Sequence, residues 1–254
     1  MIFTSGLTCS ATAAARQQQL VAVRRVLGNV VLQPAVQIHP RSQGPEARGG
    51  VRELTVWSDL RRSGRAEALR RLSQAATDAG ADGVVSVRMT QRRVPELDGV
   101  EIVAEGTAVR GLAHDPLVPI LTSLQTAQLG ALAEAGYRPI GLIVETGVWA
   151  IVPGKATMEA YRPELGRRNF EHPDFTAGLN EIRRGVLARI RTQARSRQEC
   201  AGVLGIELGL ERERDERAGS SLIVSVDALG TPIASVRRAR TSSRMALELG
   251  GRTE

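Results

Sequence analysis

Lysine is almost missing from this chain of 254 residues: of 34 basic residues only one, Lys155, is not an arginine. The formal net charge of +7 would suit an acidic partner. So complete a replacement of lysine reads as a coding bias toward arginine, however, and nucleic acid is not the expected partner. Aromatic residues make up 3%, and Trp57, Trp149 and Tyr137 sit in apolar contexts, too few for a base-stacking platform and suited to core or interface packing. Two cysteines, Cys9 and Cys200, exclude a dense disulfide framework and are expected to be reduced. Long apolar runs are absent as well. "IGLIVETGVWAIV" (140–152) is 13 residues broken by Glu145, short of the roughly 20 that cross a bilayer. The opening "MIFTSGLTCSATAAARQQQ" has neither a basic start nor an apolar run, so no secretion signal or lipid-bearing cysteine is expected and the reading is cytoplasmic.

What the chain does contain is its own text twice. "SDLRRSGRAEALRRLSQAATDAGADGVVSVRM" (58–89) lies over "AGLNEIRRGVLARIRTQARSRQECAGVLGIEL" (177–208) at an offset of 119, matching Leu60 with Leu179, Arg65 with Arg184, Arg70 with Arg189, Ala75 with Ala194 and Gly83 with Gly202. Gly106-Thr107 then meets Gly230-Thr231 at an offset of 124, the difference being a longer loop. Upstream, "FTSG" (3–6) matches "LTSL" (121–124), and "RRVLGNVV" (24–31) matches "YRPIGLIV" (137–144), which pairs Gly28 with Gly141. The repeat signature is therefore Gly28, Gly83, Gly106 and Thr107 in one half, and Gly141, Gly202, Gly230 and Thr231 in the other. The expected units are 1–113 and 114–236, with a basic tail over 237–254.

Periodicity gives each unit its elements. Leu69, Leu72, Ala76 and Ala79, and again Leu179, Ile182, Val186, Ile190 and Ala194, recur every three or four residues and predict one amphipathic helix per half. "GVVSVRM" and "GVLGIEL" read as strands leaving that helix through a glycine, and "VEIVAEGTAV" and "SLIVSVDALGTPI" as the partners that complete a hairpin. "LVAVRRVLGNVVL" and "RPIGLIVETGVWAIV" supply one or two strands before the helix. The fold class is α+β.

The helix running into "GADGVVSV", followed by a hairpin closing on "GTAVR" (106–110), resembles the YbjQ-like family of small bacterial proteins, which carry a heavy-metal-binding label; the resemblance covers both halves in tandem. It implies a dodecin/YbjQ-like β/α unit that assembles into closed rings, typically pentameric, with short strands joining neighbours. Open sheet edges favour such closure on physical grounds. A tandem chain then gives either two stacked rings or one ring of alternating units, and stacked rings are the expectation. The second copy departs from the pattern in having Ala201 for Asp82 and Pro232 for Ala108.

Chemistry is sparse. A soft metal wants Cys and His ligands, usually organised by a short pair, whereas His39, His114, His172, Cys9 and Cys200 are scattered and unmatched between halves, so no metal site or cofactor is expected. No G-x-S-x-G, P-loop or G-x-G-x-x-G occurs, and no enzyme activity is expected. "GADG" (80–83) ends a helix instead of opening one, so it reads as a helix-to-strand turn and not a phosphate cradle. Asp82 reads as a turn residue, Glu105 as an exposed strand position, and "ERERDER" (211–217) as a solvated hairpin tip. The tail offers Arg237, Arg238, Arg240 and Arg244 to a polyanion, beside the phosphorylatable Ser242 and Ser243. Three functions stay open: a non-enzymatic homo-oligomeric scaffold or binder of a small ligand or protein partner, a metal-binding protein, and a polyanion adaptor. The first is preferred.

Overall fold

A computed structural model describes residues 7–33, 49–97, 99–112, 118–154, 157, 171–213 and 221–236. The elements are α1 (Cys9–Gln17), β1 (Val21–Leu32), β2 (Gly50–Glu53), α2 (Thr55–Asp78), β3 (Gly83–Val94), β4 (Gly99–Arg110), β5 (Ile120–Leu121), α3 (Thr126–Glu134), β6 (Tyr137–Pro139), β7 (Ile143–Val152), α4 (Pro173–Arg195), β8 (Gly202–Glu213) and β9 (Leu222–Ser235). They form an α+β fold with two sheets. The first runs β1-β4-β3-β5, antiparallel except for β5, which lies parallel to β3. In the second, β2 pairs with β7, β7 with β9, and β9 also carries β6 and β8.

The ladders repeat in detail. Gly83 pairs with Val109 and Gly202 with Ile233, and each strand then slips its register at the same place, between Val85 and Arg88 in β3 and between Leu204 and Glu207 in β8. Inside that bulge Ser86 (φ 54°) and Gly205 (φ 59°) both take the left-handed conformation, which a serine adopts only against a steric penalty. Val26 opposes Gly106 as Ile143 opposes Gly230. The pair β6 and β7 thus lies on β9 as the single strand β1 lies on β4.

This ladder corrects the text-based alignment upstream of the helices. Gly28 opposes Ala104 and Glu145 opposes Ala228, so Gly28 corresponds to Glu145, four residues beyond its textual match Gly141. The reason is packing. A Cβ on Gly28 would lie 2.2 Å from the Ala68 carbonyl oxygen and 2.5 Å from the Leu72 amide nitrogen, so the glycine lets α2 lie directly on β1. At Glu145 the second half turns a charged side chain toward α4 instead.

Each helix covers one face of its own sheet. Ala68, Leu72 and Ala76 of α2 pack on Val26, Val30, Val84, Ile102 and Ala104; Ile182, Val186, Ile190 and Ala194 of α4 pack on Ile143, Trp149, Ile151, Val224 and Val226. These faces phase at an offset of 118, one less than the textual match, because the second helix-to-strand turn is one residue longer. The 3.6-residue spacing accounts for α4 fully. In α2 it leaves out Ser58, Arg61, Gly64 and Arg65, which are buried too: Gly64 lies against Leu32 and Ile102 of its own sheet, and α2 has a second neighbour, since its first turns run under the far face of the second sheet, where Leu54 and Trp57 meet Val148, Ala150 and Ile223.

Candidate functional site

The seam between the halves gathers most of the unusual side chains. Strands are exchanged across it: β2, from the segment before α2, pairs with β7 (Glu53 opposite Trp149), and β5, from the start of the second half, pairs with β3 (Ile120 opposite Gly83). The β2 exchange starts α2 in place. The Leu54 amide donates to the Val148 carbonyl at 2.8 Å, and the Val148 amide donates to the Ser58 hydroxyl at 2.9 Å. The β5 exchange continues past the strand, with Thr122 N donating to Val84 O and Val87 N to Thr122 O, both at 2.9 Å, and Ser86 N to Leu124 O at 3.0 Å.

Thr231 of the repeat signature anchors that crossing. Its hydroxyl lies 2.9 Å from both the Thr122 and the Ser123 hydroxyls and accepts the Ser123 amide at 3.0 Å. Thr107, its counterpart, is buried at the matching ladder position. Gly106 and Gly230 leave room for bulged neighbours, since a Cβ there would meet Val84 at 2.5 Å or Val203 at 2.7 Å. Over this end α1 and α3 pack together on an apolar cluster drawn from both halves: Ala15, Val85 and Val109 with Leu124, Leu129, Leu132 and Ile233.

Two charged groups complete the seam. In one, Glu53 accepts from Arg189 and from Arg62 (2.6 Å), while Arg189 reaches Glu145 at 3.2 Å, Gln193 donates to Glu145 at 2.9 Å, and the Arg189 guanidinium stands over Trp149 at 5.7 Å. Burial alone would raise the Glu53 carboxyl, but the hydrogen bonds from Arg189 and then Arg62, helped by the Arg189 charge and the Ser58 hydroxyl, hold it down at about 2. Arg189 is pushed up by its bond to Glu53, against burial. In the other group Arg65, with a side chain 4% exposed, pairs with Asp227 at 2.5 Å and donates to Gln91 at 3.2 Å. Asp227 also accepts from Thr146 at 2.5 Å, and Gln91 donates to Ser225 at 3.3 Å. Burial lowers the Arg65 guanidinium, Asp227 works against that, and neighbouring Arg61 adds to it. Glu53 faces Arg189, Glu145 faces Arg62 at 3.5 Å and Asp227 faces Arg65, each carboxylate thus meeting a guanidinium of the other half, an arrangement that fixes two surfaces in register.

The remaining sequence candidates lie apart. Gly80 N donates to Thr77 O at 2.8 Å, closing α2, and the Asp82 carboxylate accepts from Gly111 at 2.7 Å and Leu112 at 3.0 Å, so "GADG" is a turn. Glu105 pairs with Arg25 on the outer face of the first sheet. Cys9 opens α1. The Cys200 thiol donates to Gly202 O at 3.3 Å and packs against the second core. The His172 ring lies 5.6 Å from Phe175 at the start of α4. His39, His114, Arg237, Arg238, Arg240, Arg244, Ser242, Ser243 and residues 214–217 of the acidic-basic loop fall outside the described residues. Among the described residues no three His, Cys, Asp or Glu side chains gather as metal ligands, and the paired carboxylates of the seam do not fit a soft ion. No helix among the described residues is long and apolar enough to cross a membrane. Sequence reasoning missed β2, β5, Arg65, Asp227, Glu53 and Glu145; only "LTSL" signalled any of them, through its match to "FTSG".

The chain is thus an α+β protein of two like units, each sheet of which takes a short strand from the other half. The comparisons agree with the resemblance. The family described as "Putative heavy-metal-binding" (YbjQ) matches residues 46–111, from just before β2 to the end of β4. A UPF0145 protein of Halorubrum lacusprofundi is 33% identical over 95 residues, covering 35% of this chain and 90% of that protein. Another, from Natronomonas pharaonis, is 45% identical over 58 residues, 23% of this chain and 55% of its own length. An encapsulin nanocompartment protein of Mycobacterium tuberculosis is 28% identical over 165 residues, 62% of each chain. The match thus spans less than two thirds of the last two relatives. No solved structure matches the chain. The protein belongs to the UPF0145, or YbjQ-like, family.

Proposed function

We propose that the protein is a non-enzymatic assembly module, a homo-oligomeric ring scaffold in which each chain supplies two like units. The observation that carries this reading is the crossed pair of strands, β2 on β7 and β5 on β3: each unit completes its neighbour's sheet, and such a head-to-tail contact propagates until the rotation closes. The chain itself offers further open surface of this kind. Leu27 and Val31 of β1 are exposed, although Val148, the ladder counterpart of Val31 in β7, is buried, and Leu204 and Ile206 of β8 are exposed as well. One relative is an encapsulin nanocompartment protein by name, which agrees with assembly as the shared task. The lateral exchange favours one ring in which first and second halves alternate, in place of the stacked rings expected from sequence.

Light scattering of the purified full chain at micromolar concentration should give a mass several times 27.3 kDa, the multiple being the number of chains; a pentamer would weigh about five times that. A monomer would overturn the reading.

A further inference from the structure

We propose that the solvent ridge of α4, formed by Arg184, Arg191 and Arg195, is a docking surface for the phosphate backbone of nucleic acid, bound without regard to base sequence. Ile182, Val186, Ile190 and Ala194 turn into the second core, so Arg184, Ala188, Arg191 and Arg195 line the opposite side of the helix, and all four are exposed. The three arginines span about 16 Å along the axis. Among the described residues the ion pairs of α4 all belong to Arg189. Arg184 donates to the Asn180 carbonyl oxygen at 3.3 Å, and Arg183, on the flank of the ridge, to Asn180 Oδ1 at 3.2 Å; neither meets a carboxylate. The two acidic residues of α4 stand toward its start: Asp174 accepts from Gly154 N and Thr157 Oγ1, and Glu181 is exposed one turn before Arg184.

The first helix shows that this row is not a by-product of a chain that writes arginine for lysine. At the packing offset of 118, Arg184, Arg191 and Arg195 correspond to Ala66, Ser73 and Thr77. The arginine that α2 does carry on that side, Arg70, is held together with Arg71 by Glu67. A coding bias acts on both halves alike and does not turn three neutral positions into three unpaired cations. The dipole at a helix C-terminus favours a cation in the last turn, where Arg195 lies, but does not reach Arg184. The ridge also stays open when a second sheet covers the helix. α2 packs on both sheets, yet its Ala66, Arg70 and Thr77 are exposed and Ser73 is half-buried.

The side chains of the ridge select the partner. A protein interface is anchored by buried aromatic or apolar residues, and an interfacial helix inserts apolar ones into lipid. Gly185, Ala188 and Thr192, which stand among these arginines, supply neither. Phosphate oxygens ask only for charge and forked N–H donors. Over about 16 Å one strand of a duplex presents about five phosphates, enough for each guanidinium to meet one. No aromatic or amide side chain stands on the ridge, so the contact positions the duplex without reading bases. Composition alone gave no reason to expect nucleic acid; the placement of these arginines does.

The test is fluorescence anisotropy of a labelled mixed-sequence DNA duplex of about 30 base pairs, titrated with the full chain from about 50 to about 200 mM salt. The wild type should bind, and more weakly as salt rises. Arg184→Ala/Arg191→Ser/Arg195→Thr, which writes the α2 residues into α4, should weaken binding about tenfold or more at low salt and flatten the log–log salt slope by about 2 to 3. Its circular dichroism and its mass by light scattering should stay those of the wild type; if it misfolds, the triple glutamine variant of the same arginines takes its place. Arg237→Gln/Arg238→Gln/Arg240→Gln removes the same charge elsewhere and should keep wild-type affinity. No binding by the wild type overturns the assignment, and so do equal losses in the two triple variants, which would make net charge the cause. Tighter binding to phosphatidylserine vesicles or to polyglutamate than to the duplex, lost in the ridge variant, overturns it in favour of a membrane or an acidic protein. A changed mass in the folded ridge variant overturns it in favour of a contact between copies. Binding is read per chain, so its outcome does not depend on the assembly reading.

Discussion

Removing Asp227 should cost far more than losing a surface carboxylate, because it strands Arg65 at the seam. With Asp227→Ala the guanidinium keeps, among the described residues, Gln91 and the Met89 sulfur at 3.8 Å, in a position 4% exposed. Breaking a fully buried pair costs about 3–5 kcal/mol. Asp227 is itself 29% exposed, so water reaches one side of the site, and about 2–3 kcal/mol is expected. Replacing both members, Arg65→Met with Asp227→Leu, removes the desolvation of both charges and should return the protein to within about 1 kcal/mol of wild type. The four proteins form a double-mutant cycle, read by urea unfolding at one fixed protein concentration because the proposed assembly would add its own stabilisation. A coupling of at least about 1 kcal/mol is expected. If Asp227→Ala moves the urea midpoint no further than an exposed substitution does, or if the single effects simply add, the pair does not hold the halves together and the account of the seam is wrong.

Gly28→Ala should destabilise the first half by about 3 kcal/mol or more, since the new Cβ meets α2 backbone that cannot rotate away; Gly185→Ala, on α4 with nothing within 4 Å, should stabilise by up to about 1 kcal/mol. Thermal melts that rank the two the other way would refute the packing argument. Glu53, held at about 2 against an ordinary 4.5, contributes stability that is fully present above pH 4.5 and fades as pH falls toward 2. Its partial solvation limits the effect to about 1–2 kcal/mol. Urea midpoints at about pH 6 and pH 3 should differ less in Glu53→Gln than in wild type; parallel losses would show that Arg189 and Arg62 do not secure this carboxylate.

The α+β class and the hairpins were legible because they are local properties of the text: period in 179–194, β-branched runs after Gly83 and Gly202, and the Gly-Thr pairs. The match of Gly28 with Gly141 misled because letters were compared where the ladder compares positions, and β6 and β7 are one strand interrupted. The repeated arginine at 65 and 184 misled in another way. Arg65 is enclosed, whereas its counterpart at the packing offset of 118, Arg183, is exposed on α4 as Arg184 is, a difference that follows from the second neighbour of α2. Its partner Asp227 is 162 residues away, and no local pattern announces a contact at that range. The exchanged strands are short, four residues in β2 and two in β5, below the length at which alternation can be recognised.

Because Ile120–Leu124 reaches β3 within the same polypeptide, that joint forms by tethering, at an effective concentration on the order of millimolar for a short connection, however scarce the protein is in the cell. Dilution can act only on joints made between separate molecules. The tether also frees its two surfaces to diverge from one another, and the carboxylate at 145 where the first half has a glycine at 28 is what such freedom leaves behind.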